Sequence, residues 1–447
     1  MIFLTKEISL NQLKDFQAQL EARPEHSVVE RAVTKNGIFK SAADYRAEVN
    51  MDPVFSIDLD TGDVANQKQS GRCWMFAALN TMRHQMKDNF RVAKDFELSQ
   101  SYTFFWDKLE KSNYFYENVL KTADLPTSDR KVAWLMTTPQ QDGGQWDMFM
   151  AIVEKYGVVP KSVMPESFSS SASREFNATL NLKLRKDAVE LRELVATGTS
   201  EADIQARKEK MLAEVYRMAA YSFGEPPTKF DFEYRDTDNN YHLDRDLTPQ
   251  EFFKKYVGWN LDDYVSIINA PTADKPYNHM YTVEMLGNVV NGRPVRHLNV
   301  DMDTFRKISI AQLKAGESVW FGSDVGQESD RQKGILDTNL YHKDELFGVD
   351  LSMSKAERLD YAQSLMTHAM VLTGVDLVDD KPTKWKVENS WGDKVGNNGF
   401  FVMSDDWMEE FCYQVVVNKK YLPQELQEVL KEEPKVLAPW DPMGALA

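Results

Sequence analysis

Between Leu10 and Leu20 apolar residues recur among polar ones at helical spacing, which predicts a short amphipathic helix before a Pro-, Asp- and Gly-bearing stretch reaching about residue 60. The pattern then changes. Cys73-Trp74-Met75-Phe76-Ala77-Ala78-Leu79 is an apolar run rich in helix formers and predicts a helix over 73–88, entered by a tight turn at Gly71. Aromatic residues at Tyr102, Phe104, Phe105, Trp106, Tyr114, Phe115 and Tyr116 mark a further helical stretch and read as core. Ser169 to Ser173 reads as a loop, and Arg174 to Ala220 as one or two long helices with mixed charge on an exposed face, ended by Pro226-Pro227. Asp244 to Asn260 reads as another helix, opened by the Thr248-Pro249 start signal. Beyond about residue 290 the runs become strand-like: Ser318 to Phe321, Met366 to Val375, Gly399 to Val402 and Phe411 to Val417.

Composition narrows the class. A chain of 447 residues, 42% hydrophobic and 11% aromatic, has ample material for a buried core and is long enough for two or three domains. A net charge of −16 argues against a nucleic-acid surface, which needs clustered Lys and Arg to neutralise phosphates. The opening residues Met1 to Glu7 are too soon charged for a signal peptide, and no run approaches 18 apolar residues. The expected location is the cytoplasm, with no membrane partner. Histidines 26, 84, 242, 279, 297 and 342 form no metal-ligand spacing, so neither a metal nor a cofactor is expected.

Candidate chemistry begins at Asn66-Gln67-Lys68-Gln69-Ser70-Gly71-Arg72-Cys73-Trp74, which reads as an oxyanion donor followed by a nucleophile. A thiol is reactive as thiolate, and the first turn of a helix, with its unpaired N–H groups, favours that charge. A buried core cysteine is the competing reading. His368 is a single polar ring in an otherwise apolar, strand-like run, and Asn389, beside Ser390-Trp391-Gly392, can accept its ring N–H and fix the tautomer. Each has a bland alternative, a core histidine and a turn residue. Nucleophile, histidine and asparagine in this order, however, form a known thiol constellation.

The chain here resembles the papain-like cysteine proteases, whose triad is Cys-His-Asn. Gln67 to Trp74 is similar to their Gln-x5-Cys-Trp motif, Thr367-His368-Ala369 to the histidine strand, Glu388 to Gly392 to the asparagine motif, and Gly396 to Phe401 to the turn and strand that follow. Asp142-Gly143-Gly144-Gln145-Trp146 resembles the glycine pair along which those enzymes lay a substrate backbone. Two departures are informative. Ser70 stands where a disulfide cysteine is expected, and the two cysteines of the chain, Cys73 and Cys412, leave no crosslink if one is catalytic, as in a reducing compartment. His368 also lies much farther from Cys73 than the roughly 130–150 residues usual in papain-like sequences, so about 150 extra residues sit inside the core.

An enlarged core without disulfides is similar to the bleomycin hydrolase and bacterial aminopeptidase C family. That resemblance implies an α+β, two-lobed papain-like fold: an N-terminal arm (1–60), a helical lobe (61–165), a mostly helical insertion for assembly (166–289), a β-rich lobe (290–420) and a C-terminal tail (421–447). It implies catalytic Cys73, His368, Asn389 and Gln67, the first two as a thiolate–imidazolium pair across the cleft, with Gly143, Gly144, Trp391 and Ala447 on the substrate. It further implies a homohexamer, peptide substrates, and a tail whose Ala447 carboxylate meets the substrate amine. The function expected is a thiol aminopeptidase. The alternative is an endopeptidase or bleomycin-type amide hydrolase using the same site without terminal selectivity; a silent scaffold would lack one of the four residues.

Overall fold

In the computed structural model, which describes residues 6–446, helix Cys73–Phe90 is the axis of the molecule. Its residues from Cys73 to Met86 are almost all buried: the run from Cys73 to Leu79 is apolar on every side, and Arg83 and His84 further along are buried against polar partners. Helices Gln100–Lys121 and Trp146–Tyr156 pack on it from one lobe, and strands His368–Val378 and Val319–Ser323 from the other. Each lobe has its own core. One cluster gathers Trp74, Phe105, Tyr116 and Phe149; the second gathers Phe321, Trp385, Phe401 and Trp407.

The sheet has twelve strands. Its centre is antiparallel: Tyr264–Ile268, Cys412–Asn418, Val319–Ser323, His368–Val378, Lys381–Glu388 and Phe400–Ser404 lie side by side. Pairing of Val371 with Glu388 and of His368 with Ser323 sets the register. That register puts His368 at the start of its strand and Asn389 just past the end of the neighbouring one, so both reach the same edge of the sheet.

Several expected boundaries move. The sheet already takes in Tyr264–Ile268 and His279–Val283, so the β-rich lobe begins well before residue 290. The insertion does hold two long helices, Arg174–Ala196 and Glu201–Phe223, but also a hairpin of Phe230–Arg235 with Tyr241–Leu247. Gly224, at φ +88°, ends the second helix ahead of the two prolines. Asp244 to Leu247 are strand, and the helix starts only at Pro249, capped by Thr248 with Glu251. The serine stretch is not all loop: Ser167 caps a short helix over Phe168–Ser171.

The ends are tied down unequally. Helix Leu10–Glu21 forms with a Ser9/Gln12 capping box, yet none of its residues is buried. The last segment carries helix Gln424–Val429 and then strand Lys435–Leu437, which adds in parallel to His279–Val283. No helix among the described residues is long and apolar enough to cross a membrane.

Candidate active site

Cys73 is the first residue of its helix, and no side chain caps the helix at Arg72. The Cys73 and Trp74 N–H groups, ahead of the first backbone bonds from Met75 and Phe76 to Arg72 O, are therefore left for a negative charge. The thiol is buried, and burial pushes it up to about 11, against the backbone N–H groups of Ala369, Trp74 and Cys73 itself, which favour the thiolate. The Ala369 contact also brings the histidine strand to the tip of the nucleophile helix.

His368 Nε2 donates to Asn389 Oδ1 at 2.8 Å, which leaves Nδ1 as the ring's free basic nitrogen. Asn389 Oδ1 also accepts the Ser390 N–H at 2.8 Å, so the acceptor is held from two sides. Trp391 stacks on the ring, centroids 4.8 Å apart, and the Arg331 guanidinium lies 3.6 Å above the indole. Burial pushes His368 down to about 4, partly offset by Asn389 and reinforced by the Arg331 charge. Taken singly, each site thus resists the charge that a thiolate–imidazolium pair requires.

Gln67 is anchored across the lobes. Its N–H donates to Ser390 O at 2.8 Å, and its Oε1 accepts the Ser390 hydroxyl. This fixes the amide so that Nε2 is the free end; it gives one N–H to Ser70 O at 2.6 Å and keeps a second for another acceptor.

The glycine pair rests on buried charge. Lys111 Nζ donates to Gly143 O at 2.6 Å, and Lys108 Nζ to Asp142 Oδ1 at 2.7 Å. Burial alone would raise Asp142, but the Lys108 ammonium and hydrogen bonds from Ser173 and Gly71 hold its carboxyl well below the usual range. Gly71 N–H reaches Asp142 Oδ2 at 3.0 Å and Trp74 Nε1–H reaches Asp142 O at 2.7 Å, which couples this loop to the nucleophile turn. Gly144 has no room for a side chain: a Cβ there would lie 2.6 Å from the Trp74 ring.

Where the resemblance leaves a disulfide missing, an ion pair braces the turn. Arg72, fully buried, makes a two-point contact with Glu166 at 3.0 and 2.7 Å, and its Nε donates to Ser70 Oγ at 2.9 Å. Its guanidinium lies over Phe76 and Phe104. Glu166→Ala strands that charge, at a cost of about 3–5 kcal/mol. The urea midpoint of the variant is expected to fall clearly; an unchanged midpoint would show that the pair braces nothing.

Sequence reasoning singled out Cys73, His368, Asn389, Gln67, Gly143, Gly144 and Trp391, and the folded chain gathers them at the junction of the lobes. Ala447 lies outside the described residues. The tail before it does approach the glycine pair: Gln145 Nε2 donates to Ala445 O, and Leu446 lines a cavity of about 240 Å³ with Lys111, Tyr114, Trp134 and Met148. Lys108, Lys111, Arg72, Glu166 and Ser390 went unnoticed as site residues in the sequence. Ser390, beside Asn389, was within reach; lysines on an aromatic helix look like solvent-facing ones.

Fold and site together define a papain-like cysteine peptidase. Residues 7–444 match the model of the peptidase C1-like family. The chain is 58% identical to the aminopeptidase C of Lactobacillus delbrueckii subsp. lactis over 447 residues, 99% of each chain, and 59% identical to that of Streptococcus thermophilus, covering 96% of this chain and 97% of the relative. The crystal structure of PepW from Lactobacillus rhamnosis superposes with a TM-score of 0.98 at 70% identity, covering 99% of each chain. The chain belongs to the peptidase C1-like family, within its aminopeptidase C group of cysteine aminopeptidases.

Proposed function

We propose that this enzyme removes N-terminal residues from peptides through a Cys73–His368–Asn389 acyl-enzyme mechanism, with terminal selectivity set by its C-terminal tail. The observation that carries the mechanism is the fixed tautomer of His368: with Nε2–H on Asn389 at 2.8 Å, only Nδ1 can take a proton from the thiol. Burial opposes either charge alone, but proton transfer from Sγ to Nδ1 creates both at once, and each becomes the other's counter-ion. Backbone N–H groups of Ala369 and Trp74 support the thiolate.

Sγ attacks the scissile carbonyl. The oxyanion is met by the free N–H of Gln67 and the Cys73 backbone N–H at the uncapped helix end. The imidazolium returns its proton to the leaving amine, and the thioester is hydrolysed by water that His368 deprotonates. Trp391, stacked on the ring, shields the His368–Asn389 bond from water. The loop of Gly143 and Gly144 would carry the substrate chain, held from behind by Lys111 on Gly143 O and by Trp74 against Gly144.

Tail selectivity is supported by Ala445 and Leu446, which pack beside the glycine pair and leave Ala447 as the next residue of the chain. A carboxylate there would pair with a substrate α-ammonium. Self-association as a homohexamer is supported by the unpartnered apolar side of the N-terminal helix, where Leu10, Leu13, Phe16 and Leu20 are all exposed. A cytoplasmic setting suits a chain whose Cys73 and Cys412 are both free thiols.

The test pairs two substrates and one variant. Wild type is expected to hydrolyse a free aminoacyl arylamide and leave its N-acetylated form intact. Gln67→Ala is expected to lower kcat on the free substrate on the order of 10²–10³-fold. Equal turnover of both substrates would favour the endopeptidase or bleomycin-type amide hydrolase reading; full activity in Gln67→Ala would remove Gln67 from the oxyanion site.

A further inference from the structure

The nucleophile helix and the strand that ends at Glu388 belong to different lobes, and a buried cluster fastens them at a distance from the cleft. Glu388 is 1% exposed. Its Oε1 accepts Arg83 Nη2–H at 3.0 Å, and its Oε2 lies 3.0 Å from His84 Nε2. Arg83 and His84 are consecutive residues of helix Cys73–Phe90, about three turns beyond Cys73. Both reach further. Arg83 Nη1 donates to Asp63 O at 2.8 Å, in the segment that leads into Gln67. His84 Nδ1 lies 2.8 Å from Ser318 Oγ, at the head of the strand that pairs with the histidine strand. Burial alone would raise Glu388, but His84 and Arg83 beside it hold it below the usual carboxylate range, while at His84 burial outweighs the carboxylate and pushes the imidazole down.

Resting on the Cys–His–Asn reading above, we infer that Glu388 is a positioning residue: its carboxylate clamps the two lobes so that Asn389 and His368 face Cys73. The covalent link is short, because Asn389 is the next residue after Glu388. The carboxylate fixes the backbone from which Asn389 projects, and Arg83 ties the same group to the helix that carries the nucleophile. Arg83 also holds the chain leading to the oxyanion donor. A buried carboxylate facing two basic groups is a costly way merely to fill space, since removing either side leaves an uncompensated charge. Misplacement of a catalytic group by about 1 Å costs on the order of 10²-fold in rate.

Glu388→Gln keeps the shape and removes the charge. It is expected to lower kcat per active site on the order of 10²-fold with KM unchanged. His84→Gln, which leaves Glu388 paired with Arg83, is expected to lower kcat in the same direction by less. The double variant should lose less than the product of the two, because both act through one carboxylate. Active-site titration normalises for folded enzyme, so a stability loss alone does not lower the reading. Wild-type kcat in Glu388→Gln, or losses that simply multiply, would overturn the clamp; where Glu388→Gln does not fold, wild-type kcat in His84→Gln overturns it instead. Cys73→Ala run alongside separates the two levels: activity surviving there would sink the site reading itself, whatever Glu388 does.

Discussion

Cys73→Ala is expected to abolish peptide hydrolysis, with kcat falling on the order of 10⁶-fold, the scale on which removal of a nucleophile acts in other triad enzymes. Two features of the structure make this sharper than a generic loss. Cys73 carries the only free thiol at the lobe junction among the described residues, and Cys412 sits in the sheet core with burial pushing its thiol far up. A small alkylating reagent should therefore modify one site, recovered by mass on the Cys73 peptide, and turnover should vanish in proportion. The variant should fold, because alanine suits the first turn of a buried helix and the Arg72–Glu166 brace remains. Turnover persisting in Cys73→Ala, or alkylation confined to Cys412, would refute the assignment.

Ending the chain at Met443 is expected to change what the enzyme cuts. The shortened protein keeps the Met443 N–H bond to Asp441 Oδ1 at 2.8 Å and the Lys275–Asp441 ion pair at 3.0 Å, so the tail stays anchored up to that point. It loses the Ala445 contact with Gln145 and the Leu446 side chain in the cavity beside Lys111. N-acetylated peptides, which lack an ammonium and need the room, should become substrates. Free aminoacyl arylamides should lose about 1.5–3 kcal/mol of charge-assisted binding, roughly 10- to 100-fold in kcat/KM. Strict preference for free N-termini in the shortened enzyme would show that the tail does not set selectivity.

Much of the site was legible in the linear chain because thiol chemistry demands particular residue types next to particular neighbours. Cys73 needs a helix end and an oxyanion donor close by in sequence, and Gln67 through Trp74 supplies both within one turn and one helix start. His368 stands out as a lone polar residue in an apolar strand. The supporting charges were hidden for a physical reason: Lys108, Lys111 and Arg72 are typical surface residues by type, and only pairing with Asp142, Asp107 and Glu166 permits their burial. Partners such as Arg83 and Glu388 are far apart in the chain, so no local pattern announces them. The helix expected over Asp244 to Asn260 began late because strand pairing with Phe230–Arg235 claimed its first residues, a contact that local propensity does not contain.

The sequence by itself determined the candidate residues proposed for catalysis, the α+β class, the two long insertion helices and the lack of the usual crosslink beside the nucleophile, since each rests on residue identity and short-range spacing. Only the tertiary structure decided the tautomer of His368, the orientation of the Gln67 amide, the buried ion pairs under the nucleophile turn and the glycine pair, and the course of the tail to Leu446. These depend on groups brought together from distant parts of the chain. Their energies are set by burial, which decides whether a charge is solvated or must find a partner, and burial exists only once the lobes have closed around the central helix.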